Sequence, residues 1–381
     1  MGLNRLTRNA VHVLPEGGLE QKLKLNRPLR VKLGIDVTSP DIHIGRGIPL
    51  QRMRAFQDEG HTGVLIVGDY TTRIGDPSGR SSERPVLSDE EIERNAQTYL
   101  DQAMVILDPD RTEVRRNGEW LSTLSYAEVV QLARTITVAR MLERDDFAKR
   151  YTSGEPISVS ELLYPLMQAY DSVAIEADVE LGGTDQLYNL LAGREVMEAY
   201  GLNPQVALTT PILESWDGAK MSSSVGNNIP LTAPPEEMFG RTMRVPDAAL
   251  PEWYRLVWER ELPPGDPLEA KLALARFIVE RSWGPDAARA AEDHFTRVVR
   301  EGQAPEEVPE EPLPEGDPLH LPALLVERLG LGSTSEARRL IAQGAVKVDG
   351  EVVSDVDLPR DRLAGALVQA GKRRYVRFAP A

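Results

Sequence analysis

The chain has 381 residues, no cysteine, five histidines and a net charge of −15. That length suits two or three domains, and the absence of cysteine excludes disulfides and thiolate metal sites. The scattered histidines (His12, His43, His61, His294, His320) have no metal-ligand spacing, so no protein-held metal is expected. The acidic balance argues against a nucleic-acid binder that works by overall basicity, while a local basic patch stays open. No run of about 18 apolar residues occurs, and the stretch MGLNRLTRNAVHVLPEGG lacks the apolar centre of a secretory signal. A soluble cytoplasmic protein without a membrane segment is expected.

In chain order, LRVKLGIDV (29–37) reads as a buried strand, followed by the loop TSPDIHIGRG and a helix to about Glu59 that Gly60 stops. The strand GVLIVGDY follows, which makes a βαβ unit. A second such unit starts with SVAIEADVEL (172–181) as strand, the loop Gly182-Gly183-Thr184-Asp185-Gln186, a helix carrying Leu187, Leu190, Leu191 and Val196, and QVALTTPIL (205–213) as the next strand. Two such halves predict an α/β fold with a doubly wound, Rossmann-like parallel sheet, whose ligands sit at the carboxyl ends of the strands.

Between the halves lies a largely helical insertion, about 80–165, with helices expected over 89–107, led by Ser88 as N-cap, and over 126–151. The first domain is placed at 1–235 and a helical domain at 236–302. QAPEEVPEEPLPEGDP (303–318) is acidic and proline-rich, the composition of a semi-rigid linker. From His320 onward the balance inverts, with ten Lys and Arg against seven Asp and Glu, so 319–381 is a separate α+β module. Within it SEARRLIAQGAVKVDGEVV reads as a short basic helix, a stop at Gly344 and a hairpin turning at Asp349-Gly350. Arg338, Arg339 and Lys347 suit contact with a phosphate backbone, although a merely solvated basic surface reads the same way.

Three clusters carry chemistry. Gly45 lets a nucleotide approach the backbone, and the following helix N-terminus offers N–H groups to phosphates, with His43 beside them. Taken alone, His43 also fits a structural loop residue. Lys220, in AKMSSS (219–224), lies among small and hydroxyl residues able to close over an anion; a serine-rich loop without function is the plainer reading of that stretch. Tyr164, Gln168 and Asp171 fall on one face of a helix flanked by Leu162, Leu163, Leu166 and Met167, which suits a lined pocket.

The order of these clusters, from about Leu29 to the C-terminus, resembles the bacterial tyrosyl-tRNA synthetases of class I. HIGR corresponds to their HIGH motif, KMSSS to the KMSKS loop, and the tail to an S4-type RNA-binding domain. Gly34-Ile-Asp36-Val-Thr38, Gly75-Asp76-Pro77-Ser78-Gly79 and 234–247 also match. The resemblance implies activation of L-tyrosine by ATP, transfer to tRNA(Tyr), a homodimer, Mg²⁺ brought with ATP, and an anticodon-side role for 236–302. It assigns His43, Lys220, Arg46, Ser222 and Ser224 to catalysis, and Gly45, Asp36, Gly183, Asp185 and Lys220 to ATP. Asp76, Tyr164, Gln168, Asp171, Gln186, Lys32 and Gly34 go to tyrosine, with Asp171 accepting from the phenol hydroxyl, and Arg338, Arg339 and Lys347 to tRNA.

Three positions depart from the pattern. Position 32, often tyrosine in bacterial members, is Lys, so recognition of the phenol leans on Asp171. Ser223 replaces the second lysine of the KMSKS loop. Arg46 stands where a second histidine or a small polar residue is usual, and it either clamps a phosphate or crowds the adenine and sugar. The alternative function is therefore a synthetase-like paralogue with altered specificity or weakened catalysis, acting in RNA binding or regulation. A tryptophanyl enzyme is disfavoured by YPLMQAYD and the tail, and a small-molecule adenylyltransferase would not need the tail.

Overall fold

The computed structural model describes residues 2–76, 87–223, 225–300, 308–371 and 374–380. The chain divides into two compact units, residues 1–233 with 241–274 and residues 234–240 with 275–381.

The first unit is built on a six-stranded sheet: β1 (His12–Leu14), β2 (Arg30–Ile35), β3 (Thr62–Val67), β4 (Thr112–Arg116), β5 (Val179–Gly183) and β6 (Val206–Thr210), in the order β1-β6-β5-β2-β3-β4. All neighbours are parallel except β1, which runs antiparallel to β6. From β2 the chain winds outward through β3 to β4, and from β5 it winds the other way to β6. The winding reverses between β2 and β5, which is where an open α/β sheet leaves a crevice at its carboxyl edge. The expected doubly wound fold is therefore present.

Helix α1 (Ile44–Asp58) makes the crossover from β2 to β3, and Gly60, at φ +93°, turns the chain back into the sheet. Helix α2 (Asp89–Ile106) starts at the predicted Ser88, whose side chain and that of Glu91 form a reciprocal capping box. Helix α3 (Val159–Ala174) starts with a second box, Ser158 with Glu161, and helix α4 (Leu187–Ala199) joins β5 to β6. Val31, Leu33, Leu65, Val179, Leu181 and Leu208 of the strands pack with Leu50, Met53 and Phe56 of α1 and Tyr99 and Ala103 of α2. Burying each large apolar side chain contributes about 1.5–3 kcal/mol, which ties the helix to the sheet floor.

Three expectations need correction. The strand expected over 172–181 is the last turn of α3, a reversal through Glu176 at φ +49°, and only then β5. Short alternating runs fit a helix face as well as a strand, and the distant capping box decides the matter. The single helix expected over 126–151 is three, Tyr126–Ala133, Val138–Met141 and Asp145–Ser153. Thr137 accepts from the Arg140 amide and so starts a new helix within the run. The largely helical insertion also holds β4, whose sequence TEVRR suits the charged edge of a sheet.

The second unit contains α5 (Leu321–Leu329), α6 (Thr334–Ala342) and a five-stranded sheet of β7 (Glu310–Glu311), β8 (Val346–Val348), β9 (Glu351–Val352), β10 (Leu367–Ala370) and β11 (Arg374–Phe378). The expected hairpin is β8-β9, turning through Asp349 and Gly350, both at positive φ. Its core includes Leu325, Ile341, Val346, Val368 and Phe378. Glu310 and Glu311, expected in the linker, pair in parallel with Arg377 and Phe378 and belong to this sheet.

Candidate active site

A cavity of about 230 Å³ lies at the carboxyl ends of β2 and β5, where the winding reverses. Gly34, Asp36 and Thr38 line it from β2 and the residues beyond, Arg46 from α1, and Thr71 and Asp76 from beyond β3. Tyr164, Gln168 and Asp171 of α3, with Gly183, Asp185, Gln186 and Lys220, complete the polar wall. The topology thus unites residues 34 to 220 in one crevice.

The face of α3 is held by specific bonds. Tyr164 donates its hydroxyl to Asp36 Oδ2 at 3.0 Å, and the Thr71 hydroxyl donates to Oδ1 at 2.8 Å. Burial and the nearby carboxylates push the Tyr164 phenol well above its usual value, so it stays a donor. Asp171 accepts from Trp120 Nε1 at 2.8 Å and from Asn117 Nδ2 at 3.4 Å. Burial pushes its carboxyl up to about 7, against the opposing charge of Lys32 and these two donors. Gln168 Nε2 lies 3.5 Å from Glu180 Oε1, while its own Oε1 is buried with no hydrogen-bond partner among the described residues. Gln168 is one of the residues that line the cavity, and an orphaned acceptor in such a residue is one that a ligand donor can satisfy. Gln186 donates to Asp76 Oδ2 at 2.7 Å and is itself fixed by Asn189 at 3.0 Å.

The glycines serve close approach. Gly34 is exposed in a central strand, and a Cβ there would meet nothing but cavity. A Cβ on Gly183 would sit 2.6 Å from Asp185 Oδ1, so only glycine lets that carboxylate fold back over the strand end.

His43 is the N-cap of α1, its Nδ1 accepting from the Arg46 amide at 3.3 Å. Burial, then the charges of Arg46 and Lys220, depress its pKa to about 3. The ring is neutral at physiological pH, and with Nδ1 accepting, its proton sits on Nε2. Gly45 packs against this ring, a Cβ there lying 3.2 Å from it. Arg46 lines the cavity with Nη1 3.1 Å from the Ser39 hydroxyl. Lys220 Nζ pairs with Asp185 Oδ2 at 2.5 Å. The amide of Ser222 donates to Asn227 Oδ1 at 2.9 Å, and Ser224 lies outside the described residues, as do Pro77, Ser78 and Gly79.

Lys32 is not brought to the cavity. It is 0% exposed, and its ammonium donates to the Gln168 carbonyl (2.7 Å), Ser172 Oγ (2.8 Å) and Glu180 Oε1 (2.9 Å). A lysine side chain on β2 long enough to reach across to α3 and β5 spends all three protons there. Trp120 and Asn117, which hold Asp171, were invisible in the sequence because they lie about fifty residues upstream on an unrelated segment beyond β4. In the second unit Arg338 and Arg339 stand exposed on α6, and Lys347 is half-buried between the buried Val346 and Val348.

This geometry meets a matching family. Residues 23–299 fit the family model described as tRNA synthetases class I (W and Y), and residues 321–359 fit the S4 domain. The chain belongs to the class I W and Y tRNA synthetases. Curated synthetases of this family similar to it include the tyrosine–tRNA ligase of Thermotoga maritima, 46% identical over 98% of this chain and 96% of that protein. The tyrosine–tRNA ligase of Moorella thermoacetica is 47% identical over 99% and 95% respectively. Among solved synthetase structures, the tyrosyl-tRNA synthetase of Archaeoglobus fulgidus complexed with L-tyrosine has a TM-score of 0.61 at 24% identity, covering 76% of this chain and 98% of that one. A truncated mitochondrial tyrosyl-tRNA synthetase of Aspergillus nidulans scores 0.63 at 22% identity, covering 77% and 92%. These likenesses carry the fold.

Proposed function

We propose that the chain is a tyrosine–tRNA ligase that activates L-tyrosine with ATP and transfers it to tRNA. The observation that carries this reading is the polar face of α3 in the switch-point cavity. Asp171 offers a buried acceptor, and Gln168 Oε1 offers a second acceptor with no partner of its own. A phenol hydroxyl matches the first and an α-ammonium the second, with Asp76, Tyr164 and Gln186 around the reacting end. Phenylalanine brings no donor to this buried carboxyl group, and a site built to bind a hydroxyl can discriminate by about 10⁴–10⁵.

In the first step a tyrosine carboxylate oxygen attacks the α-phosphorus, and the bond to the bridging oxygen breaks to release pyrophosphate. In the second, the terminal ribose hydroxyl of the tRNA attacks the acyl carbon and AMP leaves. No protein nucleophile is required, so placement of charge and donors provides the rate. His43 donates Nε2–H to the phosphates, Arg46, tied to Ser39, and Lys220 supply cations, Asp185 with Gly183 receives the ribose, and Asp36 lines the adenylate. Ser222 shapes the loop. Lys32 supports the tyrosine pocket from behind, and Gly34 leaves room for the ring.

Among the described residues no group of three or more His, Asp or Glu side chains is placed to hold a metal. Mg²⁺ enters this reading as the companion of ATP, with no step assigned to it. No described helix is long and apolar enough to cross a membrane. A cytoplasmic location is part of the proposal, by analogy with the bacterial relatives. The domain scheme 1–235, 236–302, 303–318 and 319–381 and a homodimer belong to the same proposal, as does tRNA contact through Arg338, Arg339 and Lys347.

Pyrophosphate exchange into ATP, run with each standard amino acid, tests the reading. Exchange with tyrosine alone is expected, and well-folded protein that exchanges with none sinks it.

A further inference from the structure

We infer that the buried pair Lys32–Glu180 is a positioning element that sets the enzyme's preference for tyrosine over phenylalanine, a proposal that rests on the ligase reading above. Lys32 projects from β2 and Glu180 from β5, the two strands flanking the switch point, and both side chains are essentially inaccessible. Their contacts converge on a single turn of α3. The Lys32 ammonium binds the carbonyl of Gln168 and the hydroxyl of Ser172, which lie three residues before and one residue after Asp171. Glu180 Oε1 accepts from the Lys32 ammonium at 2.9 Å and from Gln168 Nε2 at 3.5 Å, and its Oε2 accepts from the Ser172 hydroxyl at 2.9 Å and from Gln205 Nε2 at 2.7 Å.

Two consequences follow for the substrate-facing groups. With Nε2 facing a carboxylate at 3.5 Å, the Gln168 amide is oriented so that Oε1 is the end left without a protein partner among the described residues. The turn bearing Asp171 is fastened to the sheet on both sides, and the lysine charge opposes the effect of burial on that carboxylate. An ionised acceptor binds a hydroxyl more strongly than a neutral one does. A general-purpose core ion pair would not need to meet the pocket helix at these three points, because well-packed apolar residues usually stabilise a core as well.

The test compares wild type with the double variant Lys32→Met/Glu180→Gln, which removes both charges together and avoids leaving either one buried alone. Lys32→Met alone serves as the less tolerated comparison. Thermal melting establishes folding, and pyrophosphate exchange gives KM for tyrosine, KM for ATP, kcat and the ratio of kcat/KM for tyrosine to that for phenylalanine. The double variant should raise KM for tyrosine and narrow the ratio by about tenfold or more, with KM for ATP and kcat within a few-fold of wild type. Combined with Asp171→Asn, the pair of substitutions should narrow the ratio little further, since both act on one acceptor. A folded double variant with unchanged tyrosine KM and unchanged ratio overturns the inference alone. A wild-type chain that exchanges with no amino acid overturns the ligase reading and the inference with it.

Discussion

Lys220 Nζ lies 2.5 Å from Asp185 Oδ2, joining the loop after β6 to the loop after β5 on the wall of one cavity. The lysine side chain is 59% exposed and the carboxylate 24%, so the pair adds little to stability in water. Lys220→Gln is expected to leave the melting temperature within about 2 °C of wild type. In exchange assays it should lower kcat by about 10² to 10³, the usual cost of removing one donor aimed at developing charge, with KM for tyrosine little changed. Melting curves and exchange kinetics on the same preparation check both halves.

His43 is a buried, neutral ring. Its folded pKa of about 3 lies below its ordinary 6.5, so the unfolded chain binds the extra proton first. The stability this contributes is present above about pH 6.5 and is lost as the pH falls toward 3. His43→Asn, whose side chain can still accept the Arg46 amide, should flatten that acid limb in urea titrations between pH 3 and 6.5 while lowering kcat by about 10²-fold. An unchanged acid limb would contradict a buried neutral ring.

Asp171 has the opposite sign. Its folded pKa, raised to about 7 from 3.8, means the folded state binds the proton more tightly, so this group costs stability as the pH rises through 7. Asp171→Asn should therefore melt higher than wild type at pH 8, by an amount that disappears near pH 4. Tyrosine binding runs the other way, because the acceptor form is the carboxylate. Measured from pH 6 to pH 8.5, KM for tyrosine in wild type should fall, and Asp171→Asn should abolish that dependence together with most of the discrimination against phenylalanine.

Gly34 faces open cavity, so a methyl group there takes up ligand space without straining the strand. Gly34→Ala should raise KM for tyrosine by about tenfold with KM for ATP nearly unaltered. A KM for ATP that rises in step would place the glycine beside the nucleotide instead.

Arg338 and Arg339 are exposed on α6 of the second unit. Replacing both with Glu should weaken aminoacylation of tRNA by at least about tenfold at physiological salt, more steeply as salt rises in the wild type, and should leave pyrophosphate exchange intact. Equal loss in both assays would show that this surface serves folding.

Much of this enzyme was legible in its residues alone. Alternating and continuous apolar runs, the Ser88 cap and the Asp349-Gly350 turn are local signals, governed by dihedral preference and by which side of an element meets water, so the doubly wound scheme and the β8-β9 hairpin could be read directly. The meeting of Asp36, Asp185 and Lys220 on one cavity was readable because their segments follow strands whose carboxyl ends must share one edge. What folding alone decided is what the long side chains reach. Lys32 sits in a strand and looks like a pocket residue, yet its ammonium turns away to Gln168, Ser172 and Glu180, 136 to 148 residues distant. Trp120 and Asn117 hold Asp171 from a segment that carries no motif. Local sequence sets the backbone and its faces. The partners of a buried charge depend on which distant donors the packed sheet brings within 3 Å, because a charge removed from water must be satisfied by whatever the tertiary structure places there.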